Sequence, residues 1–447
     1  HLENHPLDST AFKDYLAYRY SQEFGGSPSG QALKDFIAAL RPKALYECEE
    51  RAAEVRLARH EDAIIFDLCN KERTVVEITS NGWKIIDSFS SPVRFIRRNG
   101  MAAHPNPELP LFGETPLASL APLFKLVNVK DLASQQLLIG WLLGALNAAG
   151  PYPALCLISE QGSGKSVSAR ALRKLIDDNV SLLRSSPRNE QDLIISALNS
   201  RVIALDNLSS VPDWLSDGIC KITTGAGFAT RELYSNSDEV ILSVTRPVLL
   251  NSIVDFSNRG DLIDRCIFIT LELISEEQRR TESEIWSDFE AHRPVMMGAL
   301  FTIVSSILKE LPNVQVKKLP RLADFAKWVT AAEKCLGWES GSFLESFNKN
   351  RTEAVEDALE GSLVAQALLN FMQVGAERSL SAQELLDELN RRRPDKESSM
   401  WPKSPRGLSN ELRRLAPGLR QIGFVIEFKK RRAKRREIFI ARPIEQA

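Results

Sequence analysis

The chain has 447 residues, room for about three domains, and its 43% apolar and 26% charged content is that of a globular protein. The formal net charge of -1 leaves the overall charge silent on any partner. Six scattered cysteines without a CxxC pair argue against zinc and disulfides, and they fit buried thiols in a reducing compartment, so a cytoplasmic location is expected.

No run reaches the roughly 18 apolar residues of a membrane span, and no membrane partner is expected. No signal peptide is visible. Because the first residue is His1, the chain is expected to be a processed form or an excised part of something longer.

Residues 1–108 read as an N-terminal α+β domain, a collar for oligomerisation or a DNA contact. Helices are predicted over 11–24 and 29–40, and strands over 63–68, 74–79 and 83–86. Asn81-Gly82 is the hairpin turn signal between the last two. Arg94, Arg97 and Arg98 are either DNA contacts or a solvated basic face. Pro105, Pro107 and Pro110 mark a linker.

Residues 109–345 alternate helical patterns with short apolar strands ending at Ser159, Asp206, Asn251 and Thr270. That alternation predicts a largely parallel sheet with helices on its faces. A stripe of Leu322, Phe325, Trp328, Ala332 and Cys335 at helical spacing reads as core packing.

The segment Ser159-Glu160-Gln161-Gly162-Ser163-Gly164-Lys165-Ser166 follows the apolar run 154–158 and opens a helix over 167–176. Strand, glycine-rich turn and helix N-terminus together make a phosphate-binding loop. Glycines let successive N–H groups face phosphate oxygens, and the helix start adds unpaired N–H groups. Gln161, Gly162, Ser163, Gly164, Lys165, Ser166 and Val167 would cradle ATP, with Lys165 on the β and γ phosphates. Ser166 and Asp206 would hold Mg²⁺. Ser159 stands where the pattern has its first glycine.

Asp206 ends the apolar strand that begins at Arg201, as a metal carboxylate would. Asn251 ends the strand from Pro247; it either bonds the γ-phosphate and orients water, or caps a turn. Arg265, just before the strand 266–270, fits an arginine finger given to a neighbouring subunit, with Arg259 as the alternative. Its structural reading is an ion pair with Asp261 or Asp264. Between these strands, 239–244 and the residues before it form a hairpin with a polar tip. Lys221 and Arg231 touch DNA or nucleotide there, or are ordinary surface.

Residues 355–447 read as a C-terminal domain with helices over 363–372, 382–389 and 407–415. The second opens with the capping box Ser381-x-x-Glu384. A hairpin, 424–428 and 437–440, follows, and the whole describes a winged helix. From Trp401 to Ala447, 13 Lys/Arg face 4 Asp/Glu, which localises positive charge that the net value conceals. Lys429, Lys430, Arg431, Arg432, Lys434, Arg435 and Arg436 concentrate that charge at the hairpin tip, as duplex phosphate contacts would require. The candidate recognition helix carries Arg406, Arg413 and Arg414.

The chain resembles the superfamily 3 helicases of the AAA+ ATPases, especially phage and plasmid primase-helicases of the poxvirus and P4-phage type. Four stretches carry the match: Gly164-Lys165-Ser166, Ala204-Leu205-Asp206-Asn207, Thr224-Gly225 through Arg231-Glu232-Leu233-Tyr234, and Val248 to Asn251 followed by Asp264-Arg265. The resemblance covers about 120–340. It implies an α/β protein with an AAA+-like P-loop ATPase core, flanked by the α+β and winged-helix domains. It implies a homo-oligomeric ring, a hexamer, that hydrolyses ATP at subunit interfaces and moves along single-stranded DNA in the replication of a phage, plasmid or mobile element.

In that resemblance Lys165, Asp206, Asn251 and Arg265 are the catalytic set. Many members carry two acidic residues where this chain has Asp206-Asn207, which leaves Asp206 or Glu160 to activate water. A primase would lie upstream in the same chain or act as a partner. The alternatives are an ATP-regulated origin-binding initiator or helicase loader without unwinding activity, and a P-loop kinase.

Overall fold

The computed structural model describes residues 4–443 except 52, 111–112, 161, 209–210, 232–238, 243, 253–259, 396–400 and 431–435. Gln161, Tyr234, Arg259, Arg431, Arg432, Lys434 and Arg435 therefore lie outside the described residues, as do the side chains of Arg231, Lys430 and Arg436.

The chain opens with helices α1 (Thr10–Phe24) and α2 (Gly30–Tyr46). Ser9 and Ser29 start them by accepting from the backbone N–H groups of Phe12 and Ala32. An antiparallel meander follows: β1 (Leu57–His60), β2 (Ala63–Asp67), β3 (Thr74–Thr79) and β4 (Gly82–Asp87). The turn between β3 and β4 is Ser80-Asn81. Gly82, at φ 128°, already pairs with Thr79, one residue earlier than the Asn81-Gly82 signal placed the strand.

The central part holds helices α3 (Ala121–Val127) and α4 (Leu132–Ala145), strand β5 (Ala154–Ile158), helices α5 (Lys165–Ile176) and α6 (Glu190–Asn199), strand β6 (Ile203–Leu208) and helix α7 (Asp213–Thr224). A hairpin, β7 (Phe228–Arg231) and β8 (Glu239–Leu242), precedes β9 (Val248–Ser252), α8 (Gly260–Ile263) and β10 (Cys266–Thr270). Helices α9 (Glu282–Glu310), α10 (Ala323–Thr330), α11 (Glu333–Leu336) and α12 (Ser342–Gly361) close the region. Strands β10, β5, β9 and β6 form one wholly parallel sheet in that order. Each is a nearly unbroken apolar run because both faces are covered.

Side chains alternate across this sheet. Leu155, Leu157, Ala204, Leu249, Ile267 and Ile269 share a core with α4, α5, α9 and the meander. Ala154, Cys156, Ile203, Leu205, Leu250 and Cys266 share the opposite core with α7 and the C-terminal elements. The period of two thus assigns one face to each end of the chain.

Those C-terminal elements are α13 (Leu363–Phe371), β11 (Glu377–Ser381), α14 (Ala382–Asn390), α15 (Pro405–Gln421), β12 (Val425–Lys430) and β13 (Arg436–Ala441). The strands form an antiparallel sheet in the order β11-β13-β12. The Ser381–Glu384 capping box is formed. Strand β11 has no apolar alternation, which hid it in the sequence, and α15 runs past the expected 407–415.

Two segments differ from expectation. The prolines at 105–110 are not a free linker: the Glu108 N–H donates to Pro294 O at 3.0 Å. A Cβ on Gly298 would lie 1.7 Å from the Glu108 carbonyl oxygen, so only glycine allows that approach. Helix α9 is long and apolar enough to cross a membrane by length and composition, but its apolar residues, from Phe289 to Ile307, are buried in the core. The Leu322–Cys335 stripe packs in the same core.

A buried ionic joint ties the meander to the sheet. Asp177, just past α5, accepts the N–H groups of Arg201 at 2.9 Å and Val202 at 3.1 Å. It also faces Arg56 at 3.4 Å and Arg173 at 3.7 Å, all fully buried. Asp178 pairs with Arg293 at 2.8 Å. His104 is wedged beside them and accepts from Arg293 Nη2 through Nδ1 at 3.0 Å.

Burial, and then the charges of Arg56, Arg293 and Lys174, hold the His104 imidazole well below its usual range. The folded chain keeps it neutral, whereas the unfolded chain takes up a proton near an ordinary pKa of about 6.5. Stability therefore falls as pH drops below that value, by at most about 1.4 kcal/mol per pH unit. His104→Gln keeps an acceptor without the titration. Its urea midpoint is expected to fall less between pH 7 and pH 5 than that of the wild-type chain; an equal fall contradicts the assignment.

Candidate functional site

The turn from β5 to α5 is built by two left-handed glycines, Gly162 at φ 89° and Gly164 at φ 80°. Gly164 is the N-cap of α5, so the helix begins directly at Lys165. The left-handed positions fall at 162 and 164 and not at Ser159, which is why serine is tolerated there. Ser163 is buried and donates to Glu160 O at 3.1 Å. The Lys165 ammonium donates to Ser159 O and, at 2.9 Å, to Glu160 O. Burial lowers the Lys165 pKa, and the Asp206 charge opposes that shift.

Parallel register brings the other groups to the same edge. Leu250 pairs with Leu205, yet Ser252 pairs with Leu208. One residue of β9, Asn251, thus faces two of β6, Asp206 and Asn207, which is a β-bulge. Asn207 takes the strain at φ 54°, a conformation that asparagine adopts more readily than most residues. Asn251 is 3% exposed. Its Nδ2 donates to Ser166 Oγ at 3.1 Å and also to Asp206 Oδ1. Ser166 Oγ lies 3.4 Å from both Asp206 oxygens.

A hydroxyl, a carboxylate and an amide therefore meet at the mouth of the glycine turn, in a cleft of about 510 Å³. Gly162, Ser163, Gly164, Lys165, Val167, Glu160 and Asn207 line it. Arg170 and Glu282 line it too, and sequence reasoning missed both. Arg170 is an ordinary helix position, and Glu282 lies 112 residues further on, so only the fold joins them. Among the described residues no group of three or more His, Cys, Asp or Glu could hold a metal. One carboxylate and one hydroxyl suit an ion that keeps water and phosphate ligands, as magnesium does.

Arg265 is not at this cleft. It precedes β10, and its carbonyl accepts from Ala154 N at the start of β5. The cleft opens at the far end of that strand, roughly 16 Å away at 3.3 Å per residue. Arg265 pairs with Asp261, which also takes Arg321 at 3.0 Å. Asp264 takes Arg321 at 2.8 Å and Arg351 as well. Burial opposes it, but Arg265 and Arg321 hold the Asp261 carboxyl below its usual range.

The remaining candidates are dispersed. Lys221 pairs with Glu190 at 2.8 Å. Arg413 lies over the Phe428 ring at 4.0 Å, and Arg414 is 3.9 Å from Glu411. Both arginines line a second cleft, about 490 Å³, with Asp261, Asp264 and Arg321. The middle and C-terminal half of α15 thus face α7 and α8. Lys429 lies 3.1 Å from Glu427. Arg97 is held by Asp67 at 3.0 Å and Asn70 O at 2.8 Å, and Arg94 by Ser91 O at 2.6 Å.

The bulge makes a local prediction. A β-branched residue cannot easily take Asn207's conformation, so Asn207→Val is expected to destabilise by about 1–2 kcal/mol. Asn207→Gly should stay close to wild type. Urea denaturation of the two variants decides; equal midpoints contradict the strained bulge.

A family model described as "Actinomycete integrative conjugative element replication protein" matches residues 120–348, just over half of the chain. A second, "AICE RepA C-terminal domain", matches residues 364–446. No curated protein matches the chain. Among solved structures, the NrS-1 C-terminal region is 14% identical, with 84% of this chain and 96% of that one covered and a TM-score of 0.36. A full-length MCM homolog from Methanopyrus kandleri is 13% identical, with 92% and 90% covered and a TM-score of 0.27.

Proposed function

We propose that this chain, which belongs to the family of actinomycete integrative conjugative element replication proteins, is an ATP-dependent DNA helicase of the superfamily 3 kind. The observation that carries the reading is the meeting of Ser166, Asp206 and Asn251 where a glycine turn presents Lys165. Backbone N–H groups from Gly162 to Val167 would hold the triphosphate, and Lys165 would exchange its loop carbonyls for phosphate oxygens. Ser166 and Asp206 would hold magnesium, which supplies charge neutralisation on the β and γ phosphates. Asn251 keeps the Asp206 carboxylate and the Ser166 hydroxyl aligned, and its amide is a donor for the γ-phosphate or the attacking water.

The positions of the other groups support division of labour between subunits. Arg265 sits a strand length from the cleft of its own chain, and a finger given to the neighbouring subunit needs that separation. Asp261 would then hold the guanidinium until a partner's nucleotide competes for it. In this reading residues 1–108 are the collar, 109–345 the AAA+-like core and 355–447 a winged-helix domain. The three-stranded sheet with α13, α14 and α15 supports the last assignment. The charge run from Lys429 to Arg436 fits duplex backbone contact, and the hairpin β7–β8 fits a loop that touches single-stranded DNA.

A second reading, an ATP-regulated origin-binding initiator or loader, draws on Asn207. The bulge holds an amide where a second carboxylate would help activate water, which suits slow turnover coupled to assembly. Strand displacement on a forked duplex separates the two readings.

Lys165→Ala is expected to weaken ATP binding at least tenfold, read by calorimetry with magnesium; unchanged affinity rejects the site. Arg265→Ala should keep ATP affinity and lose turnover by about a hundredfold or more, the size of effect that removing one charge-stabilising donor produces. Mixing it with Asp206→Ala subunits should partly restore activity, since each supplies what the other lacks. Mixtures no faster than their parts would contradict a finger given in trans.

A further inference from the structure

The geometry points to a ribose-recognising pair, Arg170 and Glu282, on the side of the cleft away from the metal-holding groups, with the nucleoside hydroxyls bound by the Glu282 carboxylate. The inference rests on the nucleotide reading of the cleft and says which end of the ligand lies where.

Sheet order fixes the two sides. Strand β5 feeds the glycine turn, with β9 and β6 on one flank and β10 on the other. Asp206 and Asn251 come from the first flank, so the terminal phosphate and its ion belong there. The segment leaving β10 crosses on the second flank, and Ile274 in it rests against Gly164: a Cβ there would be 3.1 Å from Ile274 Cδ1. That segment leads into α9, whose first residue is Glu282, and Glu282 lines the same cleft as Lys165 and Asp206. A nucleotide with its terminal phosphate over Asp206 must run its nucleoside towards Glu282.

The side chains are set up for neutral hydroxyl donors. Arg170 is fixed from two directions: its Nε donates to Ser166 O at 3.2 Å, and its guanidinium lies 5.8 Å over the Trp286 ring. It meets Glu282 through two contacts of 3.4 Å. At that length the contacts orient the carboxylate without using up its lone pairs. The Glu282 side chain is 64% exposed, so it can accept from a ligand without first breaking a tight pair. A carboxylate facing vicinal hydroxyls discriminates ribose from deoxyribose, because each hydroxyl can donate to it. A negative charge there also disfavours placing phosphates at this end, which reinforces the ligand's direction.

The test uses the full chain with magnesium and three probes: ADP, 2′,3′-dideoxy-ADP and inorganic tripolyphosphate. The wild type is expected to bind ADP roughly tenfold more tightly than dideoxy-ADP. In Glu282→Ala this preference should collapse towards one, with tripolyphosphate affinity unchanged. Glu282→Gln, which keeps an acceptor and the helix start, should fall between. Equal ADP affinity in wild type and Glu282→Ala overturns the proposal, and so does a parallel loss of tripolyphosphate, which marks a merely structural role. A wild type that binds tripolyphosphate but shows no preference for ribose overturns this inference alone. One that binds neither ADP nor tripolyphosphate overturns the nucleotide reading with it.

Discussion

The structure depends on the register at the C-terminal edge of four parallel strands. Ser166, Asp206 and Asn251 are far apart in sequence, and none is held by its neighbours alone. They converge because β5, β9 and β6 end together, and because a one-residue bulge turns Asp206 towards β9 while its next residue takes a left-handed turn. Apolar strands buried on both faces cannot slip by one residue without exchanging their two cores. The register that stabilises the sheet is thus the one that assembles the cleft.

Helix α5 carries this arrangement into the rest of the molecule. It begins at Lys165 in the cleft and ends at the buried Asp177–Asp178 joint, where Arg56 faces Asp177 and donates to Asp67 O of the N-terminal meander. Removing one partner of a buried pair typically costs about 3–5 kcal/mol, so the meander is firmly coupled to the helix that presents the glycine turn. On the opposite face the C-terminal elements share the sheet's second core, and α15 lines the second cleft with Asp261, Asp264 and Arg321.

Much of this was legible in the amino-acid sequence where local physics dictates the outcome. The apolar run before Ser159, the glycines at 162 and 164, and the strand ends at Asp206 and Asn251 each follow from short-range constraints, as does the Ser381 capping box. Other features depend on contacts that no local pattern encodes. Strand β11 pairs only because β13 is beside it. Gly298 looks like any helix glycine until Glu108 is laid against it. Arg170 and Glu282 belong to one wall only after 112 intervening residues have folded, and Asn207, which appeared as a missing carboxylate, is a conformational requirement of the bulge. Arg97, Lys221 and Arg413 read as free positive charge, and each is engaged by a carboxylate or a ring within its own chain.

The central claim is that this cleft spends ATP where two copies of the chain meet and that a nucleic-acid strand is moved in consequence. The most direct measurement is the specific ATPase rate of the wild-type chain across a wide range of protein concentration, with and without single-stranded DNA. The account predicts a rate per chain that climbs steeply through an assembly threshold and rises further when DNA is added. A rate per chain that is flat across the dilution series and indifferent to DNA would contradict it.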